Sequence, residues 1–149
     1  MIACARTSPF VDDFGVTLAD PKIVPEPTKA TLCIYRPFRF GSGLASPLVL
    51  IDGESAVLLH NSGKTRIFLS PGKHSISTTY SHQWVRGNLS TIDLEVRTGQ
   101  TYYLQVLAEA NLVQAYTDFS LALMPEEKAA QELIDLHYLR AMDRHTQEH

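Results

Sequence analysis

Apolar and polar residues alternate most regularly at 89–97, LSTIDLEVR, where Ile92, Leu94 and Val96 take one parity and Asp93, Glu95 and Arg97 the other. A period of two puts the first set on one face of a strand and the second on the opposite face. Other runs fit strands as well. Residues 30–37, ATLCIYRP, are rich in β-branched and aromatic residues and stop at a proline. The run 47–52, PLVLID, ends at the hairpin dipeptide Asp52-Gly53, and SAVLLH (55–60) follows directly, so these two are expected to pair. Asn61-Ser62-Gly63 turns the chain into TRIFLS (65–70), Pro71-Gly72 into KHSISTTY (73–80), and Thr98-Gly99 into TYYLQVLAE (101–109). Residues 112–124, LVQAYTDFSLALM, supply one or two further short strands. Seven or eight strands with turn chemistry between them predict a mainly β chain, an antiparallel β-sandwich or small barrel rather than βαβ units.

The two ends read differently. Residues 1–29 hold four of the eight prolines (Pro9, Pro21, Pro25, Pro27) and no sustained period, which predicts an N-terminal arm or tether. At the other end, 125–149, the period changes. After Pro125, apolar residues Ala130, Leu133, Ile134, Tyr138, Ala141 and Met142, with His137, recur at steps of three and four. Glu126 and Glu127 suit the positive end of a helix dipole, and Arg140, Arg144 and His145 its far end. This predicts one C-terminal amphipathic helix with a frayed end, packed on the sandwich formed by 30–124.

Composition narrows the function classes. The 149 residues suit one domain with a self-sufficient core. Thirteen basic against 16 acidic residues leave a net charge of −3, so no basic excess points to nucleic acid. No stretch approaches the roughly 18 apolar residues of a membrane span. Of the two cysteines, Cys33 lies in an apolar run and is expected to pack as a small buried hydrophobe. A bridge to Cys4 would require the N-terminal tail to be tied down.

Candidate chemistry is sparse. Gly63-Lys64-Thr65 imitates the end of a phosphate-binding loop, but Leu58 stands where that loop needs glycine, and a strand-like run follows where it needs a helix. The stretch HNSGKT therefore predicts a hairpin turn, with Gly63 at positive φ and Lys64 in water. Among the six histidines, His74 and His82 bracket a strand and His145 and His149 lie in the tail, so neither metal nor cofactor is expected. Asp52, Glu54, Asp93 and Glu95 occupy turns or a charged strand face, where carboxylates are solvated. No nucleophile elbow is present, and the chain is not expected to be an enzyme. Tyr35, Tyr80, Trp84, Tyr102, Tyr103 and Tyr116 could line a groove, but packing is the favoured role. Tyr102 and Tyr103 are adjacent in a strand and must face opposite ways, with Tyr103 under the helix if it is outside.

Four of these segments, ATLCIYRP, IDG (51–53), LSPGKHSIS (69–77) and GQTYYLQV (99–106), follow the order and spacing of a bacterial domain-of-unknown-function family. Its members read Ala-x-Leu-Tyr-Val-Tyr-Arg-Pro, Asp-Gly, Pro-Gly-x-His, Gly-x-x-Tyr-Tyr, and many are small predicted lipoproteins of Gram-negative bacteria. Cys33 replaces the first tyrosine of the opening motif. The later part also resembles PEGA-type sandwich modules. The resemblance covers about residues 30–107 and implies an immunoglobulin-like or PEGA-like sandwich facing the periplasm. Met1-Ile2-Ala3-Cys4 resembles the end of a lipoprotein signal, which makes Cys4 the expected lipidation site, a lipid anchor the only expected membrane contact, and the periplasm or outer membrane the expected location, with a cytoplasmic protein as the alternative. The function expected is a structural or protein-interaction module of the cell envelope, its partner an unknown protein or envelope component. A small-ligand or carbohydrate-binding domain is the alternative, and the residues expected at a ligand or partner contact are Tyr80, His82, Trp84 and Tyr103.

Overall fold

The computed structural model describes residues 26–39, 46–80, 89–111, 113, 116–139 and 141–142. Within them the predicted runs become β1 (Ala30–Tyr35), β2 (Pro47–Ile51), β3 (Glu54–Leu58), β4 (Gly63–Leu69), β5 (Gly72–Tyr80), β6 (Thr91–Val96), β7 (Thr101–Asn111) and β8 (Tyr116–Met124). A helix, α1 (Glu126–Glu132), and a two-residue strand, β9 (His137–Tyr138), follow. One sheet has the order β8-β7-β1-β4-β9 and the other β3-β2-β5-β6. The fold is mainly β and sandwich-like, with nine strands rather than seven or eight among the described residues. It is also not wholly antiparallel: β1 runs parallel to β7, and β4 parallel to β9.

Alternation builds the core between the sheets. Leu32 and Ile34 of β1, Ile67 and Leu69 of β4, and Leu104 and Val106 of β7 meet Val49, Ile51, Ile76, Leu94 and Val96 from the four-stranded sheet. The opposite parity of β1 and β7 forms a second, smaller core. There Cys33, Tyr35 and Tyr103 pack under Ala129, Leu133 and Leu136. Tyr102 and Tyr103 do face opposite ways: Tyr102 packs against the main core, and Tyr103 lies 3 % exposed in the second. Turn chemistry follows the letters at Asp52-Gly53, where φ values of +52° and +83° match the two positive values of a type I′ hairpin.

Two local expectations are overturned. In HNSGKT the residue at positive φ is Ser62 (+63°), while Gly63 starts β4 and Lys64 is fully buried rather than in water. The cause is tertiary. Gly63 accepts a hydrogen bond from Arg36 N (2.8 Å), and the chain beyond α1 lies along the same edge.

The predicted long helix likewise stops at Glu132. Asp135 takes φ +69°, and the chain turns to run along the sandwich: His137 N donates to Ser62 O (2.8 Å), Leu139 N to Lys64 O and Met142 N to Ala56 O (2.7 Å each). Leu136 and Leu139 are buried, whereas Ile134 and Met142 of the helical stripe are exposed. Backbone bonds to the edge of β4 and two buried leucines outweigh a helical period that would have left that edge open. Residues beyond 142, and the arm 1–25, lie outside the described residues.

Cys33 is fully buried, as expected, but it is also disulfide-bonded. The only other cysteine of the sequence is Cys4, which lies outside the described residues.

The buried tyrosines predict alkaline sensitivity. Burial, with the charge and hydrogen bond of Glu126, pushes the Tyr103 hydroxyl up to about 12. Burial and the bonded Glu132 raise Tyr35 further, and burial with Asp118 raises Tyr80. A raised folded value means stability intact below the unfolded value of 10.0 and lost as pH climbs towards the folded one. Burial lowers Arg36 to about 10, which acts with the opposite sign in the same window. Three phenols against one guanidinium give a net loss. The urea midpoint should fall between about pH 10 and pH 12, with phenolate absorbance of the buried tyrosines appearing together with unfolding. Titration of all six tyrosines well before unfolding would contradict this.

Candidate functional site

The β2–β3 turn and the β4–β5 turn meet at one end of the sandwich. In the sequence they are the Asp-Gly and the Pro-Gly-x-His; in the fold they are joined by side chains. Asp52 Oδ2 lies 2.6 Å from His74 Nδ1, and its Oδ1 accepts from Ser75 N (2.9 Å). The far ring nitrogen, His74 Nε2, lies 2.7 Å from the Ser70 carbonyl oxygen. Asp52 N closes the unit by donating to Ser75 O (2.8 Å). A carbonyl and an ionised carboxylate only accept, so a ring carrying both protons makes both bonds, and a neutral ring one at a time. With both nitrogens engaged, His74 fits a clamp between two turns better than a general base, which needs a ring nitrogen facing substrate.

Beside the clamp, Asp52, Lys73, His74, Ser75, Asp93, Leu94 and Glu95 line an open groove of about 530 Å³. Its rim follows from strand register: on the outer face of the four-stranded sheet Lys73 pairs with Glu95, and Ser75 with Asp93. Opposite charges directly across a sheet stabilise weakly, by a fraction of a kcal/mol. Among the described residues no group of three histidine, cysteine or carboxylate side chains is placed to hold a metal ion.

The clamp carries a stability prediction. His74→Ala should cost about 1–2 kcal/mol by removing two bonds. A double-mutant cycle with Asp52→Asn should show coupling of about 1 kcal/mol. Additive effects in urea titrations would mean that the two turns are not joined through this pair.

The opposite end of the sandwich holds groups that sequence reading passed over. Arg36 is fully buried, donates from Nη1 to Leu59 O (2.9 Å) and lies 5.7 Å from the centre of the Phe119 ring. Arg36 shares the parity of Leu32 and Ile34, which points it inward, but arginine is rarely buried, so its residue type gave no hint of this. Ser46 Oγ and His60 Nδ1 are 2.8 Å apart. No carboxylate among the described residues orients that histidine, so the pair lacks the third member that a nucleophilic triad needs.

Of the residues expected at a ligand contact, the two described, Tyr80 and Tyr103, lie in different sheets and do not come together. Tyr103 is covered by α1, and its hydroxyl donates to Glu126 Oε1 (3.2 Å). Tyr80, in the other sheet, donates to Thr117 O (2.8 Å) and packs at 5.8 Å against Phe119. His82, Trp84 and the lipidation candidate Cys4 lie outside the described residues. Glu132 was not singled out by sequence, yet it accepts from Tyr35 Oη (2.8 Å) and from Gln105 Nε2 (2.8 and 2.9 Å). An acidic residue near the end of a helix gave no hint of it, since its partners lie 97 and 27 residues away.

No protein-family model matches this chain, and no curated protein matches it in sequence.

Proposed function

We propose that this chain is a non-enzymatic module of the bacterial cell envelope, immunoglobulin-like or PEGA-like in arrangement, facing the periplasm and acting through contact with another protein. The observation that carries this reading is the outer edge of β8. It ends the five-stranded sheet, spans nine residues and contains one charge, Asp118, and no proline. Among the described residues no strand pairs with that edge. Soluble proteins usually blunt such edges, and an edge left long and apolar suits the addition of a partner strand. The edge strand β6 makes the contrast, since its exposed residues Asp93 and Glu95 carry charge.

Other contacts agree with a structural role for the remaining polar groups. His74, Tyr80, Tyr103 and Glu132 each bond to another part of the fold. In the ligand-binding alternative Tyr80 would have to leave Thr117 and Phe119, so nothing described favours it.

The cysteines bear on compartment and anchor in opposite directions. A disulfide at Cys33 fits an oxidising compartment such as the periplasm. With two cysteines in the chain, however, an intrachain bridge and a lipid on Cys4 would need the same sulfur. A periplasmic location therefore does not depend on a lipid at Cys4.

A photo-crosslinking residue at Ser120 of β8, compared with one at Ser75 on the outer sheet face, tests the reading in the host cell. Protein adducts in the periplasmic or envelope fraction from position 120, and few from 75, are expected. Equal adducts from both, or a chain confined to the cytoplasm, would sink it.

A further inference from the structure

β8 has a second property besides an edge that no described strand pairs with. An antiparallel strand laid against it must put inward residues opposite inward ones, because side chains alternate between faces. Register with β7 sorts them. Phe119, Leu121 and Leu123 lie opposite Ala108, Val106 and Leu104, whereas Asp118, Ser120 and Ala122 lie opposite Glu109, Leu107 and Gln105. The first row faces the main core, which includes Phe119, Val106 and Leu104.

From this we infer that the partner strand is the β8 of a second copy of this chain, paired antiparallel about a two-fold axis at Ser120. The inference rests on the edge-binding reading above and names its occupant. About Ser120 the strand overlaps itself from Tyr116 to Met124, its whole length. Phe119 then faces Leu121 of the second copy, and Leu123, which is 43 % exposed, gains Thr117 as a neighbour. The single charge is accommodated as well. Asp118 already has Glu109 across from it on β7. In this register its other neighbour is Ala122, so no third acid is added, and the two Asp118 residues stay apart. A register centred on Asp118 would place the two carboxylates face to face, which is unfavourable. Tyr80 Oη bonds Thr117 O at one end of the strand, and a carbonyl oxygen has a second lone pair for the incoming chain. Such a contact is isologous and closes at two copies, so it uses up the edge without propagating.

Sedimentation equilibrium on the full chain tests the pairing. The wild type should be a dimer. Ser120→Lys and Ser120→Glu, both on an exposed side chain, should each weaken it by about tenfold or more by placing like charges on the axis. An equimolar mixture of the two should associate again. Ala122→Lys should hold or tighten the dimer by facing Asp118, and Ala122→Asp should weaken it. Far-ultraviolet circular dichroism of each variant separates loss of association from loss of fold. Should the Ser120 pair misfold, the Ala122 pair decides alone. A wild type that stays monomeric, or a dimer indifferent to both pairs, overturns the inference. A monomer that still crosslinks to another protein from position 120 would leave the edge-binding reading standing.

Discussion

Replacing Glu132 by alanine is expected to destabilise the fold by about 2–4 kcal/mol, because two buried donors then lose their acceptor at about 1–3 kcal/mol each. The donors are the Tyr35 hydroxyl, on a fully buried residue, and the Gln105 amide, on one that is 5 % exposed. Neither can turn to bulk water without moving α1, whose Ala129, with Leu133 just past its end, seals the second core. A seven-residue helix has little stability of its own, so its docking depends on this contact and on those two apolar residues. Glu132→Gln keeps an acceptor oxygen and should cost less than about half as much. Urea midpoints for the two variants, with limited proteolysis in 125–136, would show the difference. Alanine and glutamine variants of equal stability would mean that the carboxylate does not hold the helix.

Gly63→Ala should cost about 1–3 kcal/mol through overpacking, although alanine is otherwise the mildest substitution in a strand. A Cβ there would collide with Leu139 Cδ1 and meet the His60 carbonyl oxygen at 2.9 Å. The leucine can shift, but the carbonyl is backbone, and it accepts from Gly63 N itself (3.0 Å). Relief would come by displacing the chain that carries Leu139 from the main core. Leu139→Ala alone should cost about 2–5 kcal/mol as a cavity. Combined with Gly63→Ala it should cost about 1 kcal/mol or more below the sum, since each change removes part of the other's difficulty. Strict additivity in chemical unfolding would show that the tail does not press on this glycine.

How far the letters reached is clearest around these two sites. The strands from β1 to β8 were legible because each is a local statement: alternation fixes which residues share a face, and Asp52-Gly53 or Pro71-Gly72 marks where the chain reverses. The split between Tyr102 and Tyr103 followed from the same period of two, whereas which of them lies under the helix was decided by the packing of the sheets. The Asp52–His74 clamp was not legible. Its halves, Asp52 in a turn and His74 near the start of β5, lie 22 residues apart, and each looks like an ordinary solvated polar residue until β2 and β5 pair. Glu132 and Arg36 escaped for a related reason, since their partners belong to other strands.

The alternation and turn residues of this chain determined by themselves that it would be mainly β, where its strands would run and which faces would be apolar. Those properties depend on the φ/ψ preferences and side-chain parity of a few neighbouring residues. The tertiary structure alone decided the rest: that β1 would lie parallel to β7, that the helical pattern after Pro125 would end at Glu132, and that Lys64 would be buried. Each of these turns on a comparison between local preference and bonds offered by a distant strand. At residues 137–142 the edges of β4 and β3 offered three backbone hydrogen bonds and a place in the core for Leu139, and the helix lost.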